Sequence, residues 1–434
     1  MKILIVSSTP WDDNNSFGNS FSNIFGGNEH YEIANIYCKP GEPNTTVCSS
    51  FFQITAKSIL HSLIGRTKDS GHEVVVHENH IQTKAEELDE RSISFLNFMK
   101  KVRWQWLFWG RDIIWATGRW KSKALDRFVL SFKPDLIFQP IYFSSYLNEV
   151  GLYVQKLTLA PLVGYVSDDV VTLKHFSLSP FFWIDRFIKR RYVFRVIRQC
   201  ELLYVITDQQ RKEYDTIFGN GKCKVLYKGG DFSVQPPYKM NRPLRLVYTG
   251  NIGLGRWKTL ALVATALETI NQQEMKAELF IYSATPVSKK MLRRLNLPGA
   301  SHFMGAVHSS EIVRIQMEAD ILVHVESFEL SERYKSRLSF STKIVDYFTA
   351  GRCILAIGWK RTGGLMYLFD NCAAVIITDI KQLQNQLSIL VKSPDLIREY
   401  SCKSFECGRR NHQLSHIRGM LYNDLNAIVE KNRN

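Results

Sequence analysis

The chain has 434 residues, 45% of them hydrophobic and 22% charged, and a formal net charge of +15. That length is more than one core normally serves, and the composition excludes a collagenous, low-complexity or disordered chain. The excess positive charge asks for an anionic partner; nucleic acid, an anionic membrane surface and a phosphorylated substrate all satisfy it.

Eight cysteines are scattered without a CxxC pair, which argues against a zinc finger or a disulfide framework and for a reducing compartment. Cys353 and Cys372 lie in apolar runs and read as core thiols. No apolar run reaches 18 residues, so no membrane-spanning helix is expected.

The first strand runs from the N-terminus to about Val6 and empties into a polar loop, Trp11 to Ser20, containing Gly18 and Asn19. A second strand over Tyr31–Tyr37 completes the opening of a βαβ unit, whose first loop lies where open α/β sheets bind ligands. A simple turn of Gly and Asn satisfies the same residues, and no GxGxxG is present. Residues 40–133 are the least legible. Within them, 100–120 interleaves Trp with Lys and Arg, a pattern that suits a membrane interface, stacking on single-stranded nucleic acid, or a helix with an aromatic core face.

Strands resume at Pro134–Pro140 and Pro161–Val166, the second ending in Ser167-Asp168-Asp169. Two adjacent acids on a loop orient a hydroxyl, accept its proton, or cap the next helix; they are no metal motif. A second basic-aromatic segment, 181–195, is compatible with an amphipathic helix. After a strand at Leu202–Ile206 and a glycine turn at Lys228-Gly229-Gly230-Asp231, the proline-rich stretch 236–243 reads as a linker.

Beyond it an α/β alternation restarts. Strands are expected at Leu244–Tyr248, Glu278–Tyr282, His302–Met304, Asp320–Val325, Cys353–Ile357 and Ala374–Thr378, and helices at Thr259–Ile270, Ser309–Ala319, Thr342–Ala350 and Ile380–Leu390. The fold expected is α/β, with two doubly wound Rossmann-like domains, 1–235 and 244–405, facing a central cleft. Residues 406–434 are expected to form a helix packing back across the linker.

Three loops of the second domain carry chemistry. Gly250, Asn251, Gly253 and Gly255 precede Arg256 and Lys258 at a helix start, so that backbone N–H groups and cations approach an anion together. The polar stretch Glu326–Arg337 offers Glu326 and Glu329 as acceptors for sugar hydroxyls, and a solvated surface loop explains it equally. Finally, Ser341 or Thr342 caps a short helix that ends at Gly351 and carries Lys343 in its first turn. A cation there is unfavourable unless an anion arrives, or unless Lys343 pairs with Asp346.

The order of these features resembles the GT-B type glycosyltransferases, in particular the retaining, sugar-nucleotide-dependent enzymes of glycosyltransferase family 4. The resemblance is carried by Gly250-Asn251 through Arg256 and Lys258, by Gly305 followed by Ser310-Glu311 and Ala319-Asp320-Ile321, and by Lys228-Gly229-Gly230-Asp231. It implies transfer of a hexose from a nucleoside diphosphate sugar to an acceptor hydroxyl with retention, without metal or other cofactor, in bacterial-type cell-surface polysaccharide or glycolipid synthesis. The catalytic residues implied are Arg256 and Lys343, which would stabilise the leaving diphosphate, and Asp168 at the acceptor hydroxyl; the departing phosphate takes the acceptor proton. Gly250, Asn251, Lys258, Ser341 and Thr342 would line the donor site, with Asp346 replacing the family's ribose-holding Glu.

The family's other Glu, eight residues upstream, is Leu338 here; measured from Ala319-Asp320, Glu329 takes its place, with Glu326 nearby. On the acceptor side Ser167-Asp168 replaces His-Asp, and Asp169, His175, Gly18 and Asn19 are the remaining candidates. The implied partners are a nucleotide sugar, a glycan or lipid-linked acceptor, and an anionic membrane surface met through 100–120 and 181–195, not nucleic acid. The expected location is cytoplasmic, peripheral at the inner face of the membrane. A non-catalytic nucleotide-sugar-binding protein and a sugar-nucleotide epimerase are the alternatives.

Overall fold

A computed structural model describes residues 1–27, 30–65, 69–74 and 105–433, with side chains described from 109 in the last stretch. The basic-aromatic run at 100–104 and the side chains of 105–108 therefore lie outside the described residues.

Among the described residues fourteen strands form two sheets. The first contains β1 (Lys2–Ser7), β2 (Glu32–Tyr37), β3 (Ser50–Ile54), β4 (Gly71–Val74), β5 (Leu136–Pro140), β6 (Leu162–Val166), β7 (Cys200–Val205) and β8 (Cys223–Val225), in the order β4-β3-β2-β1-β5-β6-β7-β8. β1 pairs parallel with β2 and β5, and β4 runs antiparallel to β3. The second contains β9 (Leu244–Thr249), β10 (Ala277–Tyr282), β11 (Ser301–Gly305), β12 (Ile321–Val325), β13 (Cys353–Ile357) and β14 (Val375–Ile377), in the order β11-β10-β9-β12-β13-β14. Its pairs are parallel throughout.

The chain divides into two compact units: 1–166 with 178–203 and 424–434, and 167–177 with 204–423. The second unit thus includes sequence on both sides of the proline-rich 236–243.

In the second unit the sheet is covered on both faces, as continuous apolar strands require. Leu246, Tyr248, Val323, Val325, Leu355 and Ile357 enter one core. The alternate residues Val247, Leu322, Ile354 and Ala356 join Ile344, Val345, Tyr347 and Phe348 in the other. The helix Lys343–Ala350 supplies that second set and stops at Gly351, whose φ of 61° is the left-handed conformation a helix end favours. Residues 406–411 continue the helix Pro394–Asn411, and a second helix, Leu414–Arg433, follows.

Three expectations change. Cys372 is exposed, not core: it sits at φ 50° just past the helix Gly363–Asp370, where the chain turns outward. The polar stretch after β12 is not all loop, since Leu330–Ser336 is helical with no buried residue. The segment 181–195 does lie in a helix, Pro180–Gln199, but its first turns are inverted. Arg186 and Lys189 are buried, whereas Phe181, Ile184, Phe187 and Ile188 are each about half exposed. Lys189 is held inside by Asp185 at 2.7 Å and Asp112 at 3.4 Å, and Trp109 Nε1 donates to the same Asp185 at 3.0 Å.

Candidate functional site

The second sheet reverses direction at β9. The chain builds outward through β10 and β11, then returns to β12 on the other side of β9. The loops leaving β9 and β12 therefore lie side by side at the carboxyl ends of adjacent strands, the place where open α/β sheets bind ligands.

The loop after β9 depends on two glycines. Gly250 has a φ of 131°, and a Cβ built on it would stand 3.3 Å from Lys343 Nζ. Gly255 has a φ of 76° and lies against the β12 loop, so that a Cβ would meet Ser327 Oγ at 2.4 Å and Glu329 Oε2 at 2.8 Å. Both positions need glycine for conformation and for close approach. Asn251 is exposed and folds back on the turn, its Oδ1 accepting from Gly253 N at 2.5 Å.

Lys343 is fixed by the helix it opens. Tyr347 ties that helix to the sheet, its hydroxyl accepting from Thr249 N at 3.3 Å and donating to Val323 O at 3.2 Å. Thr342 occupies the N-cap position but has helical backbone angles and makes no side-chain cap bond. The expected hydroxyl cap is absent because the turn instead closes on backbone carbonyls, with Ile344 N bonded to Ser341 O at 3.0 Å. Neither does Lys343 pair with Asp346. Its Nζ lies 4.0 Å from the centre of the Tyr248 ring and donates to Thr249 O at 3.4 Å, with no carboxylate partner among the described residues. Burial and the nearby Arg256 lower its pKa to about 7, against the opposing pull of Glu326.

The two flanking cations are already engaged. Arg256 Nε and Nη2 donate to Glu326 Oε2 and Oε1 at 3.2 and 3.0 Å, a bidentate pair with both side chains largely buried. Removing one partner of such a pair costs on the order of 3 kcal/mol. Lys258 pairs with Glu329 at the surface, where the contact is worth about 0–1 kcal/mol. The backbone of Glu326 is anchored too, its carbonyl accepting from Thr259 Oγ1 at 3.0 Å.

Other candidates assemble around this core. Asp346 accepts from Lys228 Nζ at 2.7 Å. Asp168 is exposed, and its Oδ1 accepts from Ser339 Oγ at 2.8 Å. Asp169 is different: its buried carboxylate accepts from Thr172 N at 2.9 Å and Val171 N at 3.2 Å, and Arg337 Nη2 lies 3.4 Å away. His175 Nε2 approaches the same carboxylate at 3.8 Å. Arg337 also makes a bidentate pair with Glu213. These contacts give Asp169 and His175 a structural part in holding 167–177 in place. Gly18 and Asn19 belong to the other unit, in the helix Ser16–Phe25. A Cβ on Gly18 would strike the Asp12 carbonyl at 2.1 Å, so close packing alone requires a glycine there.

One residue of the site was not anticipated. His324 on β12 is 1% exposed, and its Nε2 stands 3.8 Å from Glu326 Oε1. Its signal in the sequence is a lone histidine inside the apolar run Ile321–Val325. Among the described residues no group of three or more His, Cys, Asp or Glu side chains is arranged to hold a metal ion, and no helix is long and apolar enough to cross a membrane.

Two doubly wound sheets, parallel apart from the pairing of β4 with β3, give the fold of the GT-B glycosyltransferases. No family model matches the chain, and no curated protein matches it in sequence. Among solved structures, HepE from Anabaena in complex with UDP is similar with a TM-score of 0.64 at 13% identity, over 98% of this chain and 100% of that one. HepE has also been solved with UDP-glucose. Sucrose-phosphate synthase from Thermosynechococcus elongatus is similar with a TM-score of 0.61 at 13% identity, over 98% of this chain and 99% of that one. TarM from S. aureus, in a complex containing UDP, gives 0.52 at 14% identity over 70% of this chain and 58% of that one. At such identities the likeness is one of fold.

Proposed function

We propose that the chain is a retaining hexosyltransferase of the family 4 type, moving a hexose from a nucleoside diphosphate sugar to an acceptor hydroxyl. The observation that carries this is Lys343, a partly buried amine with no carboxylate partner among the described residues, held against Gly250 beside Arg256 at the sheet's reversal point. A diphosphate supplies the missing negative charge.

In the reaction the bond from the anomeric carbon to the diphosphate oxygen breaks, and a bond to the acceptor oxygen forms on the same face of the sugar. The acceptor proton goes to the departing phosphate. The largest change in charge is on that phosphate, so Arg256 and Lys343 do most of the stabilising. Ser341, Thr342, Gly250, Asn251 and Lys258 line the phosphates. Asp346 exchanges Lys228 for the ribose hydroxyls, and Glu326 or Glu329 accepts from the hexose. Asp168, steadied by Ser339, orients the acceptor hydroxyl.

UDP is the first nucleotide to test, because HepE was solved with UDP and UDP-glucose. A thermal-shift panel of nucleoside diphosphates and their sugars is the experiment. Stabilisation by one of them, lost in Lys343→Ala and Arg256→Ala, supports the reading, and no shift with any member removes it.

The acceptor is a glycan or lipid-linked glycan, and the chain works at an anionic membrane surface. The support for this is the inverted helix Pro180–Gln199, which exposes Phe181, Ile184, Phe187 and Ile188 just ahead of Arg190, Arg191, Arg195 and Arg198. Absence of binding to anionic vesicles at low salt rejects this part alone.

A further inference from the structure

His324 stands where an aliphatic side chain would pack at no cost. It follows Leu322 by two residues, so it points to the sheet face covered by the helix Lys343–Ala350. Neither ring nitrogen has a hydrogen-bond partner among the described residues, which makes the buried imidazole a net burden on folding. Burial, Lys343 and Arg256 together hold its pKa well below the usual histidine range, and a neutral ring still has one N–H to donate. Gly364 lies beside the ring, and a Cβ there would stand 3.5 Å from Nε2, an ordinary contact.

Glu326 spends both oxygens on Arg256. An arriving diphosphate draws Arg256 toward its phosphates and leaves this carboxylate beside new negative charge, in need of another donor. The ring of His324 is 3.8 Å away, too far for a hydrogen bond and near enough for a side-chain rotation to make one.

We propose that His324 is a positioning residue for the donor diphosphate, taking over Glu326 by a hydrogen bond when Arg256 turns to the phosphates. Glu326 is then a carboxylate exchanged between two partners, Arg256 in the free protein and His324 in the complex. His324 touches no ligand; it acts through Glu326. The inference rests on the donor-site reading given above.

A double-mutant cycle on the full chain tests it, with dissociation constants measured by calorimetry for UDP and for the other nucleoside diphosphates. His324→Leu weakens binding about tenfold, the worth of one hydrogen bond to a charged group, while melting no lower than wild type. In the Glu326→Gln background, where no carboxylate needs a donor, the same change alters binding less than about twofold. His324→Gln, which keeps an N–H, restores most of the affinity, and His324→Met repeats the cycle if the leucine variant melts early. Equal losses in both backgrounds, or no loss with Glu326 present, overturn the exchange while leaving the donor site standing. A wild-type chain that binds no diphosphate overturns both.

Discussion

Arg256 and Glu326, 70 residues apart in sequence, face each other across the reversal point of the second sheet with two parallel hydrogen bonds of 3.2 and 3.0 Å. Under the proposed function the pairing sets up a competition, because the cation assigned to the diphosphate is already held by a carboxylate. Glu326→Gln weakens that hold and is expected to tighten nucleoside diphosphate binding about tenfold. Arg256→Ala strands Glu326 beside the anion and is expected to weaken binding about a hundredfold or more. Calorimetric titration of the two variants checks the opposite signs.

Lys343 is expected to make diphosphate binding depend on pH. In the free protein its pKa is about 7, set by burial and Arg256 against Glu326, with Tyr248 and His324 as its other close neighbours. An anion binds the protonated form and raises that pKa. Affinity for a nucleotide sugar, whose diphosphate stays ionised, is therefore expected to fall as pH rises from 7 to 9, by up to about tenfold per unit. In Lys343→Met the dependence flattens and binding is weak throughout.

The same residue burdens the fold. Its pKa is lowered on folding, so the unfolded chain binds one more proton between about 7 and the ordinary lysine value, and stability rises with pH across that window. Lys343→Met is expected to raise the melting temperature by a few degrees at pH 6. The advantage shrinks toward pH 10. Differential scanning fluorimetry in a series of buffers reads this without any ligand.

Asp346 is paired with Lys228 at 2.7 Å, and its side chain is 41% exposed. Asp346 is open to solvent while Lys228 is 13% exposed, so the pair contributes about 1 kcal/mol; Lys228→Met, which keeps the buried stem, is expected to cost little stability while freeing Asp346 for a ribose. Asp346→Asn is expected to weaken nucleoside diphosphates several-fold and to leave inorganic pyrophosphate unaffected. Comparing the two ligands separates a ribose contact from a phosphate contact.

Gly255 holds the two loops together by lacking a side chain. Gly255→Ala forces a Cβ into Ser327 and Glu329 at a φ of 76° and is expected to destabilise the chain by about 1–3 kcal/mol. Gly250→Ala meets only the flexible end of the Lys343 side chain, but its φ of 131° strains any residue with a Cβ. It is expected to cost stability through that strain and affinity through Lys343, and chemical denaturation alongside titration reads the two separately.

The second sheet was legible because each strand is a short apolar run bounded by polar or glycine punctuation; Cys353–Ile357 matches residue for residue. The stop of the helix at Gly351 was legible for the same local reason. Elements without an apolar period were not. Leu330–Ser336 buries nothing, and β4 is an edge strand of mixed residues, Gly71–Val74, with no buried position. Exposed Cys372 was misread because an apolar neighbourhood in sequence says nothing about a left-handed turn. The site's cations were read individually, but their partners lie far away in the chain. Glu326 for Arg256, Lys228 for Asp346 and Arg337 for Asp169 are products of topology, and His324 gained its meaning only from what surrounds it.

The tether through Arg337 also determines how the protein can be dismantled. A fragment begun after the proline-rich stretch would forfeit Asp169 and Glu213 and leave a buried guanidinium with neither of its carboxylates, a penalty on the order of 3–5 kcal/mol. It would shed Lys228 as well. The second compact unit is thus discontinuous in sequence, so a single crossover at 236–243 would break it. An exchange of that unit has to carry two short upstream segments, 167–177 and 204–235, along with residues 236–423.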